Sequence, residues 1–231
     1  MIKFEDVSAV YHVKGNGEFK ALDEINLHIK HGEFVSLVGP SGAGKSTLLK
    51  LLTHELKPTE GVVTVEGMNL NDLPQSEVPY LRRKIGTVYQ DFKLLSNKTT
   101  FENVAFAMEV CGVEPEEIAE DVPKVLGIVG MADKMNNFPH QLSGGEKQRL
   151  AVARALIHRP KVILADEPTG NLDMVNTYDV VKLLTKINEL GTTIILATHD
   201  HEVVNAIGRR VITMDTGKIV RDQMEQGKYV I

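Results

Sequence analysis

Cysteine is almost missing from this chain. Cys111 is the only one, so no internal disulfide can form, and a small hydrophobe buried in the core is its default reading. Basic residues are in the minority, since 26 Lys and Arg against 31 Asp and Glu leave a formal charge of −5. No basic stretch is long enough to line a polyanion groove, which sets nucleic acid aside as a main partner. Long apolar runs are absent as well. The runs at 34–38, 162–165 and 194–197 fall far short of the about 20 apolar residues that a bilayer-crossing helix needs. Any membrane role is therefore expected to come through a partner. Lys3, Glu5 and Asp6 interrupt the beginning, so no signal-type segment is expected and a cytosolic location is. Nor is there an internal repeat, a low-complexity tract or a flexible linker.

What remains is a chain of 231 residues, 42% hydrophobic and 25% charged, able to bury a substantial core as a single domain over 1–231. Residues 2–29 alternate polar and apolar in the manner of strands, with Ile25, Leu27 and Ile29 as one face and Gly15-Asn16-Gly17 as a break, which predicts an antiparallel sheet. The run at 34–38 reads as a buried strand ending at Gly39. Leu48, Leu49, Leu51, Leu52 and Leu56 predict a helix that starts in the glycine loop between. Two further buried strands are predicted at 161–165 and 193–198, ending in Asp166-Glu167 and His199-Asp200. Parallel sheets place ligands at such ends. Between Gln90 and Arg159 the pattern turns helical, and a helical lobe at about 91–159 inserted into an α/β core is the expected architecture. Pro115 with Glu116 and Glu117 starts one helix well. Pro123 then predicts either a kink or two short helices meeting. Glu116, Glu117, Glu120 and Asp121 read as a solvated face, as does Arg82-Arg83-Lys84.

Three motifs carry chemistry. Residues 39–46, Gly-Pro-Ser-Gly-Ala-Gly-Lys-Ser, match the phosphate-loop pattern and stand between a strand and a helix, the setting that gives the pattern its meaning. The backbone of Gly39, Pro40, Ser41, Gly42, Ala43 and Gly44 can wrap phosphates, Lys45 can reach the β- and γ-phosphates of a nucleotide, and the Ser46 hydroxyl can bind Mg²⁺, with Thr47 a further donor. A plain glycine turn would not explain a lysine followed by two hydroxyls. Asp166 and Glu167 end a hydrophobic strand, where carboxylates are costly to bury unless they face a cation, a water or a donor. Asp166 is a candidate for the metal's surroundings and Glu167 for the base that polarises an attacking water, against the alternative that Glu167 caps the next turn. In residues 142–149, Ser143 and Glu146 form a capping-box pattern, and Gly144 and Gly145 leave bare N–H groups at a helix mouth that suits an anion. In isolation that segment is an ordinary capped helix.

With the three in this order, the chain resembles an ABC-type ATPase subunit, and 142–149 matches that family's signature segment. The resemblance implies a P-loop ATPase core with an antiparallel β subdomain and an inserted helical subdomain, hydrolysing ATP with Mg²⁺. It further implies that His199 contacts the γ-phosphate, that the Gln90 amide oxygen meets the metal, that adenine stacks on Tyr11, and that 171–173 meets another subunit. Outside the resemblance, Tyr11 is ordinary strand packing and a lone histidine or glutamine says little. Two chains arranged head to tail would place each ATP between Lys45 of one and Ser143, Gly144 and Gly145 of the other.

More specific segments are similar to the FtsE family of bacterial cell-division ATP-binding proteins. They are 80–86 (Tyr-Leu-Arg-Arg-Lys-Ile-Gly), 89–95 (Tyr-Gln-Asp-Phe-Lys-Leu-Leu), 102–110 (Glu-Asn-Val-Ala-Phe-Ala-Met-Glu-Val) and 167–173 (Glu-Pro-Thr-Gly-Asn-Leu-Asp). Lipoprotein-release and macrolide-export ATPases share the last of these. Tyr89 in place of a phenylalanine and Met174 in place of a proline depart from the family pattern. The resemblance implies an FtsX-like integral membrane partner, a homodimer in the ATP-bound state, a peripheral location at the cytoplasmic face of the membrane, and control of peptidoglycan hydrolases outside the cell. A partner helix would sit on 91–110, where Phe92, Leu94 and Leu95 are either contacts or core. Three rivals stand beside this reading. One is an export-type ABC subunit with identical chemistry, and another is a scaffold with negligible turnover. The third is a DNA-repair ATPase, whose two motifs would be separated by long coiled coils, and no sustained heptads occur here.

Overall fold

The alternating N-terminal stretch forms β1 (Ile2–Val13) and β2 (Gly17–Ile29), paired antiparallel from Ile2 opposite Ile29 to Val13 opposite Gly17. These assignments come from a computed structural model that describes residues 1–13 and 17–224, with Gly227 and Tyr229. Gly15 and Asn16 of the expected break lie outside the described residues. The buried strand β3 (Phe34–Val38) runs into the glycine loop and α1 (Lys45–Leu52), after which β4 (Glu60–Val65) and β5 (Met68–Asn69) complete a four-stranded antiparallel sheet of order β2-β1-β4-β5.

Next, α2 (Val78–Lys84) leads into β6 (Ile85–Tyr89), and the helical stretch comprises α3 (Thr100–Glu109), α4 (Pro115–Ile128) and α5 (Gly144–Leu156). Strand β7 (Val162–Asp166), α6 (Met174–Glu189), β8 (Thr193–Ala197), α7 (His201–Ile207), β9 (Arg210–Asp215) and β10 (Lys218–Gln223) follow. The second sheet has the order β10-β9-β3-β8-β7-β6, parallel from β9 to β6 and closed by the antiparallel β10.

The apolar runs lack alternation because both faces of this sheet are covered. Val35, Leu37, Val162, Leu164, Ile195 and Ala197 turn to one core, shared with β1, β2, β4 and α1. Their neighbours Phe34, Ile163, Ala165, Ile194 and Leu196 turn to a second core against α3, α4, α5 and α6. Period two therefore sorts one continuous run into two cores, each fully buried aliphatic side chain contributing about 1.5–3 kcal/mol.

Several expectations are corrected. The first helix stops at Leu52, and Leu56 packs against the core from beyond its end. Pro123 neither splits α4 nor begins a second helix, because α4 runs unbroken from Pro115 to Ile128. The carbonyl that loses its partner belongs to Ala119, on the exposed side of the helix where water can serve it. Of the acidic face, Asp121 is half-buried and pairs with Lys124 at 3.2 Å and Arg159 at 3.4 Å. Cys111 is half-buried rather than buried, since the chain leaves α3 there, and its Sγ lies 3.7 Å from His158 Nε2.

Arg210, only 7% exposed, ties the edge of the second sheet to the loop before β3. Its Nε and Nη2 donate to both Asp222 oxygens at 2.9 and 2.7 Å, and Nη1 donates to Glu33 Oε2 at 2.7 Å and to the His28 carbonyl at 2.9 Å. Removing one partner of such a cluster strands the others. Arg210→Ala is expected to lower unfolding stability by about 3 kcal/mol, measured as a lower urea midpoint at unchanged slope.

Candidate functional site

Strand register decides which residues meet. Leu37 of β3 and Asp166 of β7 both lie opposite Ala197 of β8, and Tyr89 of β6 lies opposite Asp166. The four strands end level, so Gly39, His199, Glu167 and Gln90 leave the sheet at one edge. Backbone bonds hold that edge: Glu167 N–H donates to the Ala197 carbonyl at 2.9 Å, and Thr198 N–H to the Leu37 carbonyl at 3.1 Å.

The glycine loop borders a cavity of about 240 Å³ lined by Ser41, Gly42, Lys45, Thr47, Phe19 and Glu167, among others. Gly44 caps α1 with φ +103°, and a Cβ there would meet the Ala21 carbonyl oxygen at 2.7 Å, so no other residue fits. Lys45 is buried, yet its ammonium donates only to the neutral carbonyls of Gly39 at 2.7 Å and Pro40 at 3.0 Å. A buried cation with neutral acceptors, beside a helix N-terminus, fits a polyphosphate.

On the other side of Ser46 lies a cavity of about 620 Å³ bordered by Gln90, Asp166, Glu167, Asn171, Lys50 and Glu55, among others. Ser46 Oγ donates to Asp166 Oδ1 at 3.2 Å. Burial pushes the Asp166 carboxyl above its ordinary range and the Glu167 charge adds to this, while the Ser46 bond and the charges of Lys45 and Lys50 oppose it. An oxygen set of hydroxyl, carboxylate and amide around a disfavoured carboxylate fits a hard divalent cation. Glu167 sits in the left-handed region at φ +47°, and its Oε1 lies 2.8 Å from Nδ1 of His199. A carboxylate accepts, so the imidazole proton is on Nδ1. Asp200, the other half of that polar pair, instead caps α7 by accepting from the N–H groups of Glu202 and Val203 at 2.9 and 3.1 Å.

The Gln90 amide is turned toward Asn171. Gln90 Nε2 donates to Asn171 Oδ1 at 3.3 Å, and Asn171 Nδ2 returns a bond to the Gln90 carbonyl at 3.2 Å. At the start of α5 the capping box is present: Ser143 Oγ accepts from Glu146 N–H at 3.3 Å, and Glu146 Oε2 accepts from Ser143 N–H at 2.8 Å. That bond from the Ser143 backbone holds the Glu146 carboxyl below its ordinary range. A Cβ on Gly145 would fall 1.8 Å from Asn176 Oδ1, so this helix start is wedged against α6. Ser143 itself is exposed. Neither cavity at the strand ends takes a lining residue from 143–145 among the described residues.

Two members of the site were not visible in the sequence. Phe19, 54% exposed, walls the glycine-loop cavity, and it stands opposite Tyr11 on the same face of the β1–β2 pair. Tyr11 is half-buried. Only the register links the two aromatics. Asn171, expected in a loop that meets another subunit, also holds Gln90 across 81 residues of sequence.

Comparison with known proteins adds independent findings. The ABC transporter family profile matches residues 22–170. The chain is 49% identical over 224 residues to the cell division ATP-binding protein FtsE of Bacillus subtilis, covering 97% of each chain. It is 51% identical over 209 residues to the FtsE protein of Mycobacterium tuberculosis, covering 90% of each. Among solved structures, the ATP-binding cassette MJ0796, described as a dimer in a post-hydrolysis state bound to ADP and Pi, superposes with a TM-score of 0.88 at 39% identity, covering 98% of this chain and 100% of that one.

The disfavoured charge of Asp166 has a measurable consequence. A carboxyl whose folded value is raised above the ordinary 3.8 stabilises the fold while protonated, and that contribution is lost as pH rises through the folded value. Asp166→Asn keeps the Ser46 bond without the charge. In calorimetry without nucleotide it is expected to melt about 2–4 °C above the parent at neutral pH, a gain that shrinks as pH falls through the raised Asp166 value toward the ordinary aspartate range.

Proposed function

This chain belongs to the ABC transporter family and is an ATP-hydrolysing subunit; from that premise we propose how its residues bind and cleave the nucleotide and what the cleavage drives. The observation that carries the reading is the Glu167–His199 contact at 2.8 Å, with Glu167 bordering both the glycine-loop cavity and the cavity beside Asp166. The whole chain serves as one nucleotide-binding domain, with the helical unit at about 91–159 inserted in it.

Lys45 turns from the carbonyls of Gly39 and Pro40 to the β- and γ-phosphates, joined by the N–H groups of 42–47 at the start of α1. Ser46, Gln90 and Asp166 would hold Mg²⁺, which when bound neutralises charge on the β- and γ-phosphate oxygens. Glu167 accepts the proton of the attacking water, an effect of about 10² to 10⁴ in rate, or about 3–5 kcal/mol. His199 orients that carboxylate through Nδ1 and turns Nε2 toward the γ-phosphate. Tyr11 takes the adenine, with Phe19 as a second aromatic wall.

The γ-phosphate needs a further set of donors, and the exposed Ser143 hydroxyl with the N–H groups of Gly144 and Gly145 at the start of α5 is a fitting set that the same chain does not bring to its own cavity. A second copy, arranged head to tail, supplies them, so nucleotide closes the pair and hydrolysis releases it. Similarity to FtsE proteins over nearly the whole chain supports a role in bacterial cell division with an FtsX-like integral membrane protein, the chain sitting peripherally at the cytoplasmic face through that partner. Among the described residues no helix is long and apolar enough to cross a membrane. Closure would then move the partner and regulate peptidoglycan hydrolysis across the membrane. In the segment proposed to receive the partner, Phe92, Leu94 and Leu95 are all partly exposed, and Leu94 also packs against the second core.

Glu167→Gln is expected to bind ATP while kcat falls about 10² to 10⁴-fold, and with ATP it should form a dimer by light scattering. Ser143→Arg should bind ATP without forming that dimer. Equal dimer in both variants would refute the clamp. Purification from membranes should bring down an FtsX-like protein, and recovery of a lipid- or lipoprotein-extracting permease in its place would overturn the division reading.

A further inference from the structure

Two polar side chains on α5 point away from Ser143 toward the Gln90 loop, and the mechanism above uses neither. Gln148 is fully buried, its Nε2 reaches the Tyr89 carbonyl at 3.4 Å, and its Oε1 has no hydrogen-bond partner. Arg154, six residues on, donates from Nη1 to the Lys93 carbonyl at 2.6 Å and from Nη2 to the Phe92 carbonyl at 2.9 Å. Desolvation holds the Arg154 guanidinium below its ordinary value. Phe92 and Lys93 both lie in the left-handed region, at φ +60° and +49°, a conformation that side-chain-bearing residues hold only where the surroundings impose it. The residues flanking Gln90 on both sides are thus gripped by one helix.

Packing alone would favour an apolar residue at each of these positions. A half-buried guanidinium that spends its fork on two strained carbonyls fixes a backbone shape, and a buried amide oxygen left without a donor marks a contact with room to change. The helix is a rigid rod of 13 residues, about 20 Å long, with Ser143 at one end and Arg154 in its last turn. Any shift at its exposed start is carried to the carbonyls it grips.

We propose that Gln148 and Arg154 are positioning residues that couple the Ser143 end of α5 to the Gln90 loop, so that the nucleotide clamped by one chain's helix start sets Gln90 in that same chain's own pocket. This rests on the head-to-tail reading given above. It makes the two pockets of a dimer mutually dependent, because each chain reports its neighbour's nucleotide to its own metal-facing amide.

Hydrogen exchange of the peptide covering 89–95 tests it on the full chain in the Glu167→Gln background, where dimer and exchange are read separately. ATP is expected to slow exchange of this peptide about tenfold, and to leave it unchanged when Ser143→Arg is added, since nucleotide is then bound without a neighbour. Adding Arg154→Lys, which keeps the charge but loses the fork, should leave the dimer in place while the slowing drops below about twofold. Gln148→Met serves as the second variant should Arg154→Lys fail to fold. Slowing in the Ser143→Arg protein, or full slowing in both coupling variants, would overturn the inference. So would loss of the dimer in both coupling variants, which would place these residues in the contact itself. Absence of dimer in Glu167→Gln alone would sink the two-chain reading, and the coupling with it.

Discussion

Everything at the site depends on four parallel strands ending at the same level. Because β3, β8, β7 and β6 are in register at Leu37, Ala197, Asp166 and Tyr89, the next residue or two of each leaves the sheet at a common edge. A one-residue slip in any strand would turn its apolar side chains to the opposite core and withdraw its polar end from the edge. The two cores therefore do more than stabilise the fold. They fix the relative heights of a cation, two carboxylates, a histidine and an amide that come from distant parts of the chain.

That constraint explains what the sequence could and could not reveal. The apolar runs, the glycine loop and the Ser143–Glu146 capping box are local patterns, and each was legible because one stretch of chain contains both the cause and the effect. Helix ends were less so, as Leu56 shows: its apolar character comes from contact with the core and not from helical periodicity. Phe19, Asn171 and Arg154 belong to a different class. Their roles arise from cross-strand register or from hydrogen bonds spanning 61 to 81 residues of sequence, and no spacing rule encodes those.

The charges at the edge are arranged in opposition. Lys45 is buried on neutral carbonyls, Asp166 is disfavoured by burial and by Glu167, and Glu167 leans on a histidine. Each group lacks a full complement of opposite charge, and the shortages are complementary to a metal-bound polyphosphate. Stability and affinity are linked in such a site, since a ligand that supplies the missing charges binds the folded chain alone and raises its stability accordingly.

Glu167 carries a further consequence through its backbone. A non-glycine residue at φ +47° holds about 1–3 kcal/mol of conformational strain, and here the strain sits immediately beyond β7, where the residue's own N–H, donated to the Ala197 carbonyl, keeps the turn tight. The carboxylate is aimed by torsion in the main chain as well as by its histidine. Side-chain exchanges that preserve the peptide geometry report on proton transfer, whereas glycine at this place would also let the turn relax, mixing chemistry with slack in the scaffold.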